Sequence, residues 1–530
     1  MTYVLNDIKK ENVKRTSDCH KIFHKMMSNI DSAFDEEKKY PRYNYETFKQ
    51  RVLQRLLSLL LPAFALKMGE WINNSEDQWP IEGHVELGGI IVNSKNWKCS
   101  ISKKRLFKSV LSYLSQWFKI NYSLIFCFSL VKNADMRSSS IIYGVGKENV
   151  FIEEDDSRFV DFCQHGSIDS LKECSNIIVE LVNSGGGSLS NNSSSTIYAK
   201  NPILFLLSSS KLGFRKRLRL LLKNFVKLAQ VMSLTVTNPL LMILSRDFAY
   251  EDTVQLLDDG GFIYSIELTT SNYNCQYLWM REINQRKFQL NLIWYALNVQ
   301  NPVTNDETEV VTPPGFRYMY VDKSWVWNEE HIQVLNRLNV LGTKSICGPL
   351  VWHLPERANA KINNKFVITI FDVAPHLKSF SDSSGFIDNY YKPSNMISFL
   401  KETIEVIDEV RNCTNIEVLF RIKRKRDYNP HHEPTYISLL EGYISDNKVE
   451  GLPFHQNIYS IVDESDLCIV APFSSPLYIA NERNVKAFFY DPTMLISSLG
   501  IPISSDQFVA GRKNLKNEIL ELICSSNNLN

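Results

Sequence analysis

The chain has 530 residues, with 59 Lys and Arg against 58 Asp and Glu, a net charge of +1. At roughly 150 residues per domain this length allows about three to four domains. So even a balance excludes a surface built throughout to hold nucleic acid, and any polyanion site has to be local. A hydrophobic content of 44% with 12% aromatics excludes extended disorder.

In chain order, residues 1–135 predict a helical N-terminal extension. Apolar residues recur at three and four spacing from Tyr45 to Trp71 and again from Lys104 to Phe118. The most apolar stretch, Val52 to Leu66, is interrupted by Arg55 and Pro62, and is too short for a bilayer that needs about 20 residues. No transmembrane span is expected. The N-terminus lacks the apolar core of a secretory signal, and the ten cysteines are scattered with no C-x-x-C pair. Both features predict a cytoplasmic protein with reduced thiols and no structural zinc.

From about residue 138 the texture changes to short β-branched runs, SSSIIYGVG and SNIIVELV, that read as strands. Ser184 to Ser195 (SGGGSLSNNSSS) cannot bury apolar area and predicts a flexible insert, 184–195. Lys211 to Lys227 carries seven basic and no acidic residues, with leucines and phenylalanines at helical spacing. It reads either as a solvated face over a core or as peripheral attachment to an anionic membrane through 211–227. Beyond it, LLMILS (240–245) is expected as a strand, Tyr250 to Leu257 as a helix, and GFIYSIEL (261–268) and Phe288 to Leu297 as strands.

A linker near 354–364 leads to a second alternation. Strands are expected at 365–373, 416–422, 466–472 and 485–491, with helices at 394–410, 433–443, 458–464 and 476–482. Strand and helix in alternation imply parallel sheets. The predicted fold is therefore α/β: a GT-B-like pair of Rossmann-like domains, 136–360 and 361–530, behind the helical extension. In such a fold ligands lie at the carboxyl ends of the strands.

Two segments carry the candidate chemistry. In Asp466 to Pro492 a buried strand runs into the loop PFSSP, and a helix starts at Pro476. This sets Ser474 and Ser475 at a helix N-terminus, as a site for a donor phosphate or as caps of their own helix. The cluster RIKRKR (421–426) lies where another strand ends, with His431 and His432 beyond it. The cluster of Tyr318, Tyr320, Trp325, Trp327 and Trp352 reads as core or as a stacking surface.

The APFSSP loop, the preceding Asp463-Glu464-Ser465 and the following Tyr490-Asp491-Pro492 resemble the signature of the PFTS motif surface polysaccharide biosynthesis proteins, with Ser474 in place of the usual threonine. Residues 245–280, 286–298 and 318–331 are similar to that family's N-terminal blocks, so the resemblance spans about 210–510. It implies a glycosyltransferase that uses a nucleotide-sugar donor and a cell-surface polysaccharide or glycolipid acceptor. Lys423 and Lys425, paired with Ser474 and Ser475, resemble the donor-phosphate contacts of bacterial sialyltransferases. That pairing favours a CMP-nonulosonic acid or CMP-keto-sugar over a nucleoside-diphosphate hexose, while a non-catalytic scaffold is the reading from a different class. The chain has no His-Pro dipeptide, where those enzymes carry their histidine.

Such a transfer needs a general base from the N-terminal unit. Asp247, after the expected 240–245 strand, ranks first, and Glu267, near the end of the next strand, ranks second. Asp259 ranks third, because Asp258-Asp259-Gly260 resembles the acidic-acidic-glycine motif of those enzymes, though it also reads as a helix C-terminal turn. No cofactor or metal is expected, and no nucleic acid. The predicted location is cytoplasmic, peripheral at the inner face of the cell membrane.

Overall fold

The computed structural model describes residues 23, 25–34, 44–74, 84–126, 138–144, 168, 171, 175–179, 196–199, 201–210, 212–269, 276–281, 286–294, 318–337, 339–348, 365–377, 390–413, 418–423, 432–453, 456, 458–472, 474–494 and 507–527. The insert at 184–195, Lys425, His431 and Trp352 lie outside these residues.

The N-terminal extension contributes two long helices, α1 (Tyr45–Asn74) and, beyond three short strands, α2 (Lys103–Phe126). Those strands, β1 (His84–Leu87), β2 (Ile90–Asn93) and β3 (Lys98–Ile101), form an antiparallel meander. The extension is thus not wholly helical. Nor does it stand apart. Phe48, Val52, Leu56 and Leu60 of α1 and Tyr113, Ile120 and Leu124 of α2 belong to one apolar core with Ile141, Leu244, Phe248 and Leu268 of the next unit.

That unit begins with β4 (Ser139–Tyr143), β5 (Ser175–Val179) and β6 (Thr196–Ala199). Helices α3 (Pro202–Ser209) and α4 (Phe214–Thr237), a 3-10 turn at Pro239–Leu244 and α5 (Ser245–Asp259) follow. The chain continues through β7 (Ile263–Thr269), the single turn α6 (Leu278–Arg281), β8 (Gln289–Ile293), β9 (Lys323–Val326), α7 (Glu329–Arg337) and β10 (Thr343–Ile346). The seven strands lie in the order β10-β9-β8-β7-β4-β5-β6, all parallel. The run 240–245, expected as a strand, is the 3-10 turn and the start of α5. An apolar run of six has no periodicity that separates the two, and Pro239 favours the helical start.

The C-terminal unit repeats the scheme with β11 (Phe366–Phe371), α8 (Pro393–Cys413), β12 (Val418–Lys423), α9 (Pro434–Ser445), β13 (Glu450–Leu452), α10 (Ile458–Asp463), β14 (Leu467–Val470), α11 (Pro476–Glu482), β15 (Lys486–Asp491), β16 (Phe508–Ala510) and α12 (Arg512–Asn527). Its sheet runs β13-β12-β11-β14-β15-β16, again all parallel. Numbered from each unit's first strand, both sheets read 3-2-1-4-5-6, the doubly wound order, with an extra edge strand, β10, in the first. The switch points lie between β4 and β7 and between β11 and β14.

One apolar cluster joins the two units. Ile142 and Ile293, near the carboxyl ends of β4 and β8, and Trp325 and Trp327 of β9 and its exit fall in one group with Phe371, Leu452 and Val470, which end β11, β13 and β14. The two sheets thus meet through their carboxyl edges. Trp325 and Trp327 are buried there, which settles both as packing.

Candidate functional site

At the switch point of the C-terminal sheet, the loops after β11 and β14 diverge. The PFSSP loop follows β14, and its two serines have different duties. Ser474 is buried and its hydroxyl donates to the Ala471 carbonyl at 2.8 Å, pinning the loop to the strand it leaves. Ser475 is the N-cap of α11 but makes no side-chain capping bond, so its hydroxyl stays available at the helix start. Sequence reasoning treated the pair as equivalent. Only the backbone turn separates them.

The neighbouring loops are tied to this one by a tyrosine pair that the sequence reading missed. Tyr391 donates to the Pro472 carbonyl at 2.5 Å, and Tyr390 donates to Asp491, the last residue of β15, at 2.8 Å. Burial holds both phenols protonated far above the usual tyrosine range. Pro393 then opens α8, so the N-termini of α8 and α11 both sit at the carboxyl edge beside the switch point. The signal was a proline at a first helical turn on each side of the crevice.

Further along the edge, Asp372 follows β11 and accepts a hydrogen bond from Tyr436 of α9. His376 and His432 form an antiparallel bridge, with ring centroids 5.2 Å apart, and Glu433 N donates to the Pro375 carbonyl at 2.9 Å. Lys423 is the last residue of β12, which places its backbone at this edge. The structure therefore brings Ser474, Ser475 and Lys423 to one edge, together with His376, which sequence reasoning did not single out.

The three carboxylates assigned to the N-terminal unit fare differently. Asp247 lies in the first turn of α5, a helix start instead of the expected strand end. Leu278 N, at the start of α6, donates to its Oδ1 at 2.6 Å. Arg51 of α1 takes both its oxygens, Nε to Oδ1 at 2.7 Å and Nη2 to Oδ2 at 3.1 Å, and Asp247 is only 3% exposed. It is a strut between the extension and the sheet. Glu267 lies inside β7, is fully buried, and accepts from Asn291 of β8 at 2.9 Å.

Asp259 ends α5 at the opposite edge. Asp258 accepts from Lys287 N just before β8 at 2.7 Å, and Asp259 pairs with the Lys287 ammonium at 3.2 Å. Gly261, at φ +70°, reverses the chain into β7. The Asp-Asp-Gly triplet is a helix C-terminal turn, and its resemblance to a catalytic motif is overturned by this placement. None of the three presents an accessible carboxylate at the carboxyl edge.

Two doubly wound parallel sheets joined through their carboxyl edges define the two-domain α/β architecture called GT-B. The chain belongs to the polysaccharide biosynthesis PFTS motif proteins, whose profile matches residues 222–518. Among solved structures it is similar to a glycosyltransferase from Rickettsia africae ESF-5, at 8% identity and a TM-score of 0.38, over 73% of this chain and 88% of that one. It is similar as well to the wall teichoic acid polymerase TagF, at 10% identity and TM-score 0.39, over 80% and 90%. A third, the S. aureus protein TarM, shows 13% identity and TM-score 0.30 over 54% and 52%. No curated protein matches the chain.

Proposed function

We propose that the chain is a glycosyltransferase that moves a sugar from a nucleotide-activated donor to a cell-surface polysaccharide or glycolipid. The observation that carries this reading is the position of the family's own loop. PFSSP leaves β14 at the switch point of a doubly wound sheet, where two helix N-termini converge. Helix N-termini attract anions, which suits a donor phosphate. Ser475, Lys423 and Lys425 are its proposed contacts, and Ser474 holds the loop that presents Ser475. A CMP-linked keto-sugar or nonulosonic acid is the favoured donor, because a basic loop and a hydroxyl loop suffice for one phosphate. The same logic makes the reaction metal-independent, so transfer is expected to persist in EDTA, and loss of activity on chelation would overturn this part.

The acceptor side is proposed to meet a membrane. The buried face of α4 is Arg217, Leu220, Asn224, Lys227 and Val231, whereas Phe214, Leu218, Leu222, Phe225 and Val226 are exposed. The helix is inverted relative to an ordinary core helix. Arg217 donates to the carbonyls of Leu212 and Ser210, and Lys227 pairs with Glu251 and Asp252, so two of the seven basic residues counted for a surface face inward. Beside it, α2 exposes Phe107, Leu111, Phe118, Tyr122 and Ile125. Trp117 of α2 packs edge-on against Phe225 and donates to the Asn224 carbonyl at 2.9 Å, so the two stripes belong to neighbouring helices. Exposed Arg215, Lys216, Arg219 and Lys223 flank them. An apolar face rimmed by cations fits an anionic bilayer surface. Among the described residues no helix is long and apolar enough to cross a membrane.

The deciding experiment is a thermal-shift panel of cytidine, uridine and guanosine nucleotides, because a bound donor raises the melting temperature by mass action. A shift with CMP that Ser475→Ala diminishes supports the reading. A shift with uridine or guanosine diphosphate instead would point to a hexose donor, and none with any nucleotide to a non-catalytic scaffold.

A further inference from the structure

A cavity of about 250 Å³ lies in the N-terminal unit, away from the PFSSP crevice. Its walls come from three elements: Arg51 and Arg55 of α1, Arg105 and Lys108 of α2, and Ser245, Arg246 and Asp247 at the start of α5. Five cations thus face one small space with a single carboxylate, and Arg51 already holds both oxygens of that carboxylate. Among the described residues, Arg105, Lys108 and Arg246 have no acidic partner within ion-pair distance. In a chain whose net charge is only +1, this concentration is local. Like charges around a cavity repel unless an anion is bound, and Arg and Lys donors suit phosphate oxygens best. Ser109 and Ser112 also line the space and offer hydroxyl groups to the same anion.

Position narrows the ligand. The cavity lies where α1, α2 and the start of α5 come together, all within the N-terminal unit. The four α2 residues that line the cavity, 105, 108, 109 and 112, occupy one helical face at i, i+3, i+4 and i+7. The apolar stripe of Phe107, Leu111, Phe118, Tyr122 and Ile125 occupies the next face of the same helix. The cavity and the exposed apolar surface are therefore neighbours. The volume is below the roughly 300–1,000 Å³ of pockets for drug-sized ligands, so it suits a charged headgroup better than a whole sugar chain.

We propose that this cavity binds the phosphate or diphosphate group of a lipid-linked glycan acceptor, while the apolar faces of α2 and α4 rest on the bilayer that carries it. This rests on the transferase reading above and names the chemistry of its acceptor. The N-terminal extension supplies four of the five cations, which gives a role to a segment that precedes the family match at 222–518.

The test uses the full chain and the triple variant Arg105→Gln, Lys108→Gln, Arg246→Gln, whose side chains make no ion pair among the described residues and are expected to leave the fold intact. Calorimetry with inorganic pyrophosphate is expected to show binding to the parent and a loss of about tenfold or more in the variant, as removal of charge-assisted contacts requires. Equal affinity in both overturns the site. A second arm compares co-sedimentation with phosphatidylcholine vesicles carrying phosphatidic acid, a phosphomonoester, against vesicles carrying phosphatidylglycerol at equal surface charge. Preference for phosphatidic acid that the variant loses supports a lipid-borne phosphate. Pyrophosphate binding that needs the three residues but comes with no preference between vesicles assigns the cavity to a soluble diphosphate and overturns the lipid acceptor. Nucleotide thermal shift, read in parallel, tests the transferase reading by itself: it is expected unchanged in the variant, and its absence in the parent counts against that reading while leaving the anion site standing.

Discussion

His331 shows how burial alone sets a side chain's chemistry. It sits in the first turn of α7, fully buried, with its ring edge-on to Trp294 at 5.5 Å, and among the described residues its Nε2 has no hydrogen-bond partner. Desolvation pushes its pKa from 6.5 down to about 3. Between those values the unfolded chain binds a proton that the folded chain refuses, so stability rises with pH across this window and falls on acidification from about 6.5 towards 3. This one group contributes a slope of at most about 1.4 kcal/mol per pH unit. Denaturation of His331→Phe from pH 7 to 4 is expected to show a shallower loss than the parent, and equal slopes would refute the assignment. A second residue-scale prediction separates strut from base. Asp247→Asn leaves the buried Arg51 guanidinium without its counter-charge, and is expected to destabilise the fold by about 3–5 kcal/mol. An unaltered melting temperature with lost transfer would instead restore Asp247 as a catalytic group. The sequence told neither story. It could not show Asp247 as a strut, because the partner that neutralises it, Arg51, is 196 residues away.

At the scale of elements, strands and helices with one function were legible and those with two were not. The 476–482 helix was read to the residue because Pro476 fixes its start, and the strand expected at 466–472 is present as the shorter, wholly buried β14. The polarity of α4 was not legible. An amphipathic pattern says that two faces differ but not which one the fold covers, and here Asn121 of α2 and Glu251 of α5 are waiting for Asn224 and Lys227. The meander β1-β2-β3 escaped because four-residue strands carry too few alternations to register. A prediction follows from the inversion. Serine at Phe118, Phe214 and Leu222, all exposed, should alter stability by no more than about 0.5 kcal/mol per site, yet reduce co-sedimentation with anionic vesicles. Glutamate at Arg215, Lys216, Arg219 and Lys223 is expected to do the same and to leave nucleotide binding intact. Variants that pellet as well as the parent would sink the membrane face, and a marked loss of stability would show that the stripe packs against protein.

At the scale of the whole molecule, the boundary at residue 135 that composition marked is not a boundary in the core. Fully buried Phe48, Val52, Leu56 and Leu60 of α1 lie in the same cluster as Met242, Leu244 and Leu268, and the Arg51 to Asp247 pair spans the junction. Burial of each such side chain contributes about 1.5–3 kcal/mol, against a total stability of about 5–15 kcal/mol for a domain. Removal of α1 and α2 would therefore uncover more apolar surface than the N-terminal unit can spare. The C-terminal unit is placed differently, because Ile368, Phe399, Ile407, Leu467, Phe488 and Ile519 form a core drawn only from its own elements. A chain that starts at residue 136 is accordingly expected to lose the melting transition of the N-terminal unit and to expose it to protease. It should keep a transition for residues 365–527 and, with it, the CMP-dependent shift assigned to the PFSSP crevice. One cooperative transition at the parent's temperature would show that the extension is a separable appendage, and would also remove the ground for an acceptor cavity built between it and the sheet.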